Sequence, residues 1–405
     1  MRITTVARHL LARRVLPATL SVARHLTPAL SHTVVAGFPS SEGNAVEMVR
    51  CLLRRTDGRV VWLDAPTREY REALGVSNVR VVAIPKVSMR ALWLYITSAG
   101  TFFTHGLYGE PAALGRKPTV NLWHGDGPKN TSTLFPERRL GAPPSDVVVS
   151  NTRLWGELNC SASGVATDRL LVVGSPRTSQ FNRPASPSAL RLLGIDASEP
   201  WVLWLPAYRR VQSMGTMRAH NDAPESSHAV TESFASIAAE LSAMGIRVYA
   251  KPHPMDVETL RTPDVTVFTD EDLVAAGLGF YSVLGASSGL ITDYSSVMTE
   301  YALLDRPIAF FAPDASAYIN GRGLTPADIL DWLPGGTITG PADARKFGHD
   351  VLGGDSTAEL RSRFAMRVGL ATTEDPASAL LDDVVLRFGG KLGRMVSRAA
   401  SGVGV

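Results

Sequence analysis

The stretch from Thr33 to Leu63, TVVAGFPSSEGNAVEMVRCLLRRTDGRVVWL, predicts a strand, a helix and a second strand in succession. Two short runs with adjacent valines, Thr33 to Gly37 and Val60 to Leu63, flank a helical stretch from Asn44 to Arg55. Apolar residues recur in that helix at spacings of three and four, so one of its faces is apolar. The order strand, helix, strand is typical of parallel strands with the connecting helix packed on the sheet.

The same alternation continues along the chain in two series, separated by a Pro- and Ser-rich stretch at 182–200. Further strands of the first series are expected at 79–84, 101–104, 119–123, 146–150 and 170–173. In the second series, strands are expected at 201–205, 246–250, 265–268, 289–292 and 308–311, with helices at 230–244, 271–276 and 296–304. The fold class is therefore α/β, with two doubly wound, Rossmann-like domains. Such sheets bind ligands at the carboxyl ends of their strands, and we expect the two domains to face a cleft.

We divide the chain into four segments on this basis. They are a basic N-terminal segment at 1–32, an N-terminal α/β domain at 33–190, a C-terminal α/β domain at 191–355, and C-terminal helices with a flexible tail at 356–405. The polar stretch from Gln212 to Ser227 is expected to be a loop long enough to be mobile or to act as a lid. The chain after Gly389 is expected to be frayed.

Composition and charge exclude several classes of protein. The chain has 405 residues, enough for about two domains, and 45% of them are hydrophobic. Its 41 basic and 38 acidic residues nearly balance, which argues against a nucleic-acid-binding protein. The two cysteines, Cys51 and Cys160, are too few and too far apart for a disulfide framework or a zinc cluster. The sequence contains no run of eighteen apolar residues, which is about the length that a membrane-spanning helix needs.

The first 41 residues contain five arginines and no Asp or Glu. Val6, Leu10, Leu11 and Val15 could line one side of a helix among these arginines. A basic amphipathic helix of this kind binds the surface of an anionic membrane, with its arginines near lipid phosphates. The alternative is a helix that is solvated or packs on its own domain.

Polar residues follow several of the predicted strands. In NLWHGDGPK at 121–129, His124 ends a strand and is suited to act as a general base for a hydroxyl. Gly125 and Lys129 follow it, and Arg177 lies in a comparable loop, GSPR at 174–177. The alternative for His124 is a histidine that satisfies backbone groups at a tight turn.

The second series carries residues suited to phosphate. In YAKPHPM at 249–255, prolines bracket His253, and Lys251 projects to the same side of an extended chain. Arg209 ends the strand in WVLWLPAYRR at 201–210. The structural alternatives are prolines that end a strand and a solvated arginine.

In GLITDYSSVMTE at 289–300, Asp293 follows an apolar strand, and Ser295 and Ser296 open a helix. Free N–H groups at a helix start bind anions, so these residues could hold a diphosphate, and Glu300 could accept hydrogen bonds from ribose hydroxyls. The alternative is an N-cap serine with a surface glutamate. The chain lacks a Walker loop, a G-x-G-x-x-G fingerprint and a G-x-S-x-G elbow, which argues against kinases, dehydrogenases and hydrolases.

Together these blocks resemble the CDP-glycerol:poly(glycerophosphate) glycerophosphotransferases, the teichoic acid polymerase family. The resemblance covers roughly residues 33 to 325 and is carried by WHG, GSPR, PAYR, KPHP and the long block ITDYSSVMTEYALLDRPIAFFAPD at 291–314, in this order. The chain departs from the family pattern at Ser179, at Ala207 and at Asp126-Gly127-Pro128.

The resemblance implies a GT-B-like fold with an acceptor-side N-terminal domain and a CDP-donor-binding C-terminal domain. It implies transfer of a polyol phosphate, glycerol phosphate first, from a CDP-activated donor to a hydroxyl of a lipid-linked, cell-wall or capsular glycopolymer, with release of CMP. The implied catalytic residues are His124 and His253. The implied donor-binding residues are Arg209, Lys251, Asp293, Ser295, Ser296 and Glu300.

Gly125, Lys129 and Arg177 are candidates for acceptor or phosphate contacts. No metal site and no cofactor are expected, although a loosely held Mg2+ on the diphosphate stays open. The expected partners are CDP-glycerol or a related CDP-polyol, the polyol-phosphate or glycan acceptor and an anionic membrane surface, but no nucleic acid. The expected location is cytoplasmic, peripheral on the inner face of the cell membrane. Two alternatives stay open: a GT-B glycosyltransferase that uses a nucleotide-sugar, and a non-catalytic membrane-associated scaffold.

Overall fold

The computed structural model describes residues 16–108, 117–129, 145–163, 165–206, 210–213, 216–219, 224–252, 262–313, 315–321 and 323–401. The chain divides into two compact units. Unit 1 comprises Met1–Gly125, Glu137–Ser179 and Ala371–Val405, and unit 2 comprises Asp126–Pro136 and Gln180–Leu370.

The described strands are, in chain order, β1 (His32–Ala36), β2 (Arg59–Leu63), β3 (Val81–Ile84), β4 (Thr101–Phe103), β5 (Thr119–Asn121), β6 (Val147–Ser150), β7 (Leu170–Val172), β8 (Trp201–Leu205), β9 (Arg210–Ser213), β10 (Thr216–Ala219), β11 (Arg247–Ala250), β12 (Val265–Val267), β13 (Gly289–Thr292), β14 (Ile308–Phe310) and β15 (Gly336–Thr337). The described α-helices are α1 (Leu16–Leu26), α2 (Gly43–Arg55), α3 (Arg68–Ala73), α4 (Met89–Thr97), α5 (Arg153–Ser163), α6 (Pro187–Leu190), α7 (Pro224–Ala243), α8 (Asp270–Ala275), α9 (Phe280–Leu284), α10 (Val297–Tyr301), α11 (Ala315–Gly321), α12 (Pro341–His349), α13 (Ala358–Val368), α14 (Pro376–Phe388) and α15 (Gly390–Ser401).

Unit 1 is built on a parallel sheet in the order β3-β2-β1-β4-β5-β6-β7. Every residue of the interior strand β1 is buried, because helices cover both faces of the sheet. Side chains alternate along β1: Val35 belongs to one apolar cluster, whereas Val34 and Ala36 belong to the cluster on the opposite face. The sequence prediction of a doubly wound parallel sheet is therefore correct for this unit.

The C-terminal helices α14 and α15 complete the core of unit 1. Ala377, Leu380, Leu381 and Val384 recur at spacings of three and four on α14 and join the same cluster as Val35. The chain thus returns to its first unit after Leu370. The stretch after Gly389 is helical rather than frayed, because it forms α15, in which Leu392 and Met395 are buried.

Unit 2 contains a second parallel sheet in the order β12-β11-β8-β13-β14-β15. Its longest described helix, α7, packs Phe234, Ile237, Ala238 and Leu241 against this sheet, and the Phe234 ring lies 4.0 Å from the Trp204 ring. The boundary between the two units in this part of the chain lies at Ser179 and Gln180. It precedes the Pro-rich stretch, which belongs to unit 2.

Two further expectations differ from the structure. The expected loop at 212–227 contains part of an antiparallel hairpin, β9 with β10, followed by the start of α7. Arg24, one of the five N-terminal arginines expected to approach lipid phosphates, is instead buried and donates hydrogen bonds to the Tyr95 and Lys117 carbonyl oxygens. The apolar residues expected on the N-terminal helix, from Val6 to Val15, lie outside the described residues.

Cys51 and Cys160 are free and buried, in agreement with the absence of a disulfide framework. Among the helices that the structure describes, none has the length and hydropathy needed to cross a membrane.

Candidate functional site

In unit 1 the strand order reverses between β1 and β4, and ligands of doubly wound sheets bind at the carboxyl ends of the strands beside such a point. Phe38 follows β1, His105 follows β4, and His124 follows the next strand, β5. The predicted base therefore lies at the edge of the sheet where this fold places its ligands. Its side chain is exposed.

The backbone before His124 is held in an uncommon conformation. Trp123 has a φ of 54°, in the left-handed region, which costs free energy for a residue with a bulky side chain. Several hydrogen bonds stabilise this turn: Asn121 Oδ1 accepts from Trp123 N, Trp123 O accepts from Asn44 Nδ2, and Gly125 O accepts from Trp123 Nε1. Gly125 has a φ of 148°, which favours glycine at this position.

Arg177 supports the same turn from another loop of unit 1. Its guanidinium pairs with Glu42 at 3.2 Å and donates to the His124 carbonyl oxygen at 3.0 Å, while its backbone N–H donates to Asn44 Oδ1. Both charged side chains are buried, so this pair is held more rigidly than a surface salt bridge. Arg177, expected as a candidate acceptor or phosphate contact, thus holds the backbone of the predicted base.

Two aromatic rings flank the His124 ring. The His105 ring is stacked on it, with centroids 4.6 Å apart and planes 20° apart. The Trp123 ring lies 4.3 Å away at an angle of 42°. The predicted base is therefore exposed to solvent but held at its backbone and at its ring, which is the preorganisation that general base catalysis needs.

In unit 2 the strand order reverses between β8 and β13. Asp293, Ser295 and Ser296 follow β13 directly, at the carboxyl edge beside this point. Asp293 is buried, whereas both serines are partly exposed. Ser296 is the N-cap of α10 but its side chain makes no capping hydrogen bond. Its hydroxyl is therefore not used in the way that the N-cap alternative requires, whereas Ser295 Oγ accepts a long hydrogen bond from Val297 N at 3.5 Å. The helix itself is short, because α10 ends at Tyr301 and a 3-10 turn follows.

The segment after Gly125 packs on the start of α10 within unit 2. A Cβ atom at Gly127 would lie 2.6 Å from Ser296 Cα, so only glycine fits beneath that serine. Thr299 Oγ1 donates to Asp126 O at 2.9 Å, and Pro128 O accepts from Thr325 N. Lys129 then forms an isolated antiparallel bridge with Leu324.

Glu300 is fully buried on α10, rather than lying on the surface as the N-cap alternative supposes. Its Oε2 accepts a hydrogen bond from the hydroxyl of Tyr281 on α9. A buried carboxylate needs such donors, because removing its charge from water is costly. Tyr281 is therefore part of the surroundings of the predicted ribose-binding residue.

Lys251 follows β11, and its Nζ lies 2.9 Å from Asp270 Oδ1 and 5.2 Å from the Phe280 ring centroid. The lysine expected to hold phosphate thus has a carboxylate partner. Arg209 and His253 lie outside the described residues. Within the part of the chain that the structure describes, no group of three or more His, Cys, Asp or Glu side chains could hold a metal ion.

Sequence reasoning missed four residues of these sites: Glu42, Asn44, His105 and Tyr281. His105 carries a usable signal, since it follows a predicted strand just as His124 does. Glu42 and Asn44 read as the ordinary start of a helix, and Tyr281 as a residue of an apolar stretch. Their contacts join distant parts of the chain, which no local pattern records.

A family model described as CDP-glycerol:poly(glycerophosphate) glycerophosphotransferase matches residues 49–352, about three quarters of the chain. The chain belongs to this family. The resemblance identified from its motifs is therefore confirmed.

Three comparisons illustrate the relationship of this glycerophosphotransferase family member to known proteins. The teichoic acid glycerol-phosphate primase of Bacillus subtilis is 25% identical over 172 residues, which are 42% of this chain and 40% of the primase. The structure of the wall teichoic acid polymerase TagF is similar with a TM-score of 0.65 and 18% identity, over 95% of this chain and 97% of that one. A putative UDP-N-acetylglucosamine 2-epimerase from Listeria monocytogenes is similar with a TM-score of 0.55 and 13% identity, over 89% and 97%.

The two structural likenesses establish the fold and confirm the predicted α/β, GT-B-like class. The matched regions span between 7% and 40% of the lengths of the curated relatives.

Proposed function

We propose that this protein transfers glycerol phosphate from CDP-glycerol to a hydroxyl of a teichoic-acid-type polymer and releases CMP. The observation that carries the proposal is a histidine of the family motif, His124, exposed on a rigid turn at the ligand-binding edge of a doubly wound sheet. Membership of the glycerophosphotransferase family supports the donor and the reaction type.

In the proposed reaction the acceptor hydroxyl oxygen attacks the β-phosphorus of CDP-glycerol. The hydroxyl proton passes to the His124 imidazole as the new P–O bond forms. The bond from the β-phosphorus to the bridging oxygen breaks, and CMP leaves with that electron pair. Reactions of this kind depend mainly on positioning and on stabilisation of phosphoryl charge.

Unit 2 would bind the donor. We assign the diphosphate to Ser295 and Ser296, with Lys251, Asp293, Arg209 and His253 as further candidates. Ser296 is partly exposed and its side chain makes no capping hydrogen bond, which supports this role. Gly125 and Lys129 stay candidates for acceptor or phosphate contacts, and Arg177 is assigned to holding the His124 turn.

We assign the ribose to Glu300, whose carboxylate is oriented by Tyr281. Affinities for CMP and for its 2′,3′-dideoxy analogue test this assignment. Tyr281→Phe should weaken CMP binding while leaving the affinity for the analogue nearly unchanged. Equal losses for both nucleotides would mean that Tyr281 acts on the fold and not on ribose.

The activity is tested by incubating the protein with an acceptor and CDP-glycerol, CDP-ribitol or UDP-sugars, and measuring CMP and UDP release. We expect acceptor-dependent release of CMP, with CDP-glycerol as the preferred donor. His124→Ala should lower kcat at least about 100-fold with donor binding nearly intact, the usual scale for losing a general base. Acceptor-dependent UDP release would favour a glycosyltransferase, and absence of nucleotide binding would favour the scaffold.

We also propose that unit 1 attaches the protein to the inner face of an anionic membrane. Helices α1 and α4 are neighbours, since Ile96 O accepts a hydrogen bond from Thr27 Oγ1. Each helix exposes two large apolar side chains four residues apart: Val22 and Leu26 on α1, Met89 and Trp93 on α4. Arg90 on α4 is exposed, and the sequence of residues 1–23 contains four arginines and no Asp or Glu. Exposed apolar groups close in sequence to cations are typical of a membrane-binding segment.

Sedimentation with vesicles tests the attachment. Met89→Ser with Trp93→Ser should lower binding to phosphatidylglycerol vesicles, whereas Met366→Ser, an exposed methionine of unit 2, should not. Binding should weaken as salt is raised, because the cationic contribution is screened. Equal binding by the double variant and the wild type would contradict this surface assignment.

A further inference from the structure

His105 has no role in the reaction described so far, yet its ring makes the stacked contact with His124. A neighbouring ring in this arrangement limits the χ angles that the His124 side chain can adopt without losing the contact. His124 is exposed and also contacts the Trp123 ring, so the stacked His105 ring is one of the contacts that restrict its rotamers. A general base has to present one nitrogen in one direction, so this restriction matters for catalysis.

His105 is itself fixed to the two loops beside the reversal of strand order in unit 1. Thr104 Oγ1 lies 3.0 Å from His105 Nδ1 and also accepts a hydrogen bond from Phe38 N at 3.2 Å. The Phe38 ring lies edge-on to the His105 ring, with centroids 5.6 Å apart. The contact with His124 is therefore made by a ring that is anchored on its other side.

Burial and the charged groups around His105 favour its neutral form. Burial lowers its pKa below the ordinary value, and the nearby cations Lys86 and Arg177 lower it further. Of these, Lys86 donates to Gly106 O, and Arg177 is paired with Glu42. A neutral ring does not oppose the arrival of a proton on His124, whereas a second imidazolium in contact with it would.

We propose that His105 is a positioning residue for His124. The ring of His105, stacked on that of His124, sets the orientation in which His124 accepts the proton of the acceptor hydroxyl. This inference rests on the proposed function, because it assigns no chemistry to His105 apart from that of His124. It explains why an aromatic residue anchored by Thr104 and Phe38 follows β4.

Three variants at this position test the proposal in the full-length protein by CMP release. His105→Ala should lower kcat by about tenfold or more, since misplacing a catalytic group has effects of this size or larger, with the KM for CDP-glycerol within about twofold of wild type. His105→Phe keeps a ring that can stack and should recover most of kcat. His25→Ala, at an exposed histidine of the same unit, is the matched control and should behave as wild type.

The third variant at position 105, His105→Lys, tests the pH dependence of kcat, which a role in stability alone would not change. His105→Lys places a fixed positive charge beside His124 and should shift the acid limb of the kcat profile to lower pH, because a like charge opposes protonation. Melting temperatures of all variants establish that they are folded under assay conditions.

The outcomes separate the two proposals. Wild-type kcat in His105→Ala, an equal loss in His105→Phe, or an unmoved acid limb in His105→Lys would each overturn the positioning role while the wild type remains active. A wild type that releases no CMP from CDP-glycerol would instead contradict the proposed function, and this inference with it.

Discussion

Gly127 lies beside the proposed donor site at a position where the fold has no room for a side chain. A Cβ atom there would lie 2.6 Å from Cα and 2.8 Å from Cβ of Ser296. Gly127→Ala should therefore displace Ser296, raise the KM for CDP-glycerol about tenfold, and cost about 1–3 kcal/mol of stability, as overpacking does.

Gly336→Ala is the matched control in the same unit. No heavy atom lies within 4 Å of a Cβ atom at Gly336, and its φ is not in the left-handed region. We expect its KM and stability to stay near the wild-type values. A wild-type KM in Gly127→Ala would mean that Ser296 does not contact the donor.

His32 makes the stability of unit 1 sensitive to acid. Burial lowers its pKa below the ordinary value of 6.5, and the hydrogen bond between Nε2 and Leu94 O opposes this only in part. As pH falls below 6.5, the unfolded chain takes up the proton before the folded one does, so stability is lost. Denaturant unfolding between pH 7 and pH 5 should show this loss. His32→Gln should flatten the profile, whereas His25→Gln, at an exposed position on α1, should not.

The sequence indicates His124, the proposed base in unit 1, but not the residues that hold its turn. His124 was recognisable because a histidine between a strand and two glycines is an uncommon local pattern. Its supports, Arg177, Glu42 and Asn44, are separated from one another by up to 135 positions along the chain. Arg177 was expected to meet a ligand, since a charged side chain in a loop carries no mark of the buried carboxylate that pairs with it.

Helix α14 carries part of the core of unit 1, and its two kinds of leucine should respond differently to truncation. Leu380 is fully buried, and Leu386 on the same helix is 85% exposed. Leu380→Ala should lower the free energy of unfolding by about 2–5 kcal/mol, whereas Leu386→Ala should change it by about 0.5 kcal/mol or less. Equal effects measured by denaturant unfolding would contradict the packing of α14 on unit 1.

At the scale of elements, most strands of the two parallel sheets were predictable because they are short apolar runs bounded by polar or turn residues. The strands β8 and β13 agree with their expected limits at both ends. The sheet against which α14 packs was not predictable. Its apolar stripe indicates that the helix is partly buried, but the same stripe could pack on the sheet of either unit. The hairpin β9–β10 was missed because its sequence is polar, and the register of a short polar hairpin leaves little trace in hydropathy.

At the scale of the whole molecule, labelling of the two cysteines can report the unfolding of unit 1 separately from that of unit 2. Both lie in unit 1 and are buried, and burial raises the pKa of Cys51 to about 11. Since the thiolate is the reactive form, both thiols should react with iodoacetamide only slowly in the native protein at pH 8. Labelling should then report the opening of unit 1.

Mutations in the two cores provide the comparison. Leu380→Ala, in unit 1, should accelerate labelling, whereas Phe234→Ala, in the core of unit 2, should leave the rate close to wild type. Equal acceleration by both variants would show that the units open together. Rapid labelling of the wild type would contradict the burial of the thiols.

The indole of Trp123 lies 4.3 Å from the ring of His124. Protonated imidazole quenches indole fluorescence on contact, so uptake of a proton at the proposed base should dim the emission of this tryptophan. The difference between the emission titrations of the wild type and of His124→Asn therefore isolates this ionisation from the signal of the other tryptophans. The fold thus supplies an intrinsic optical reporter of the proposed base, readable without substrate and without a label.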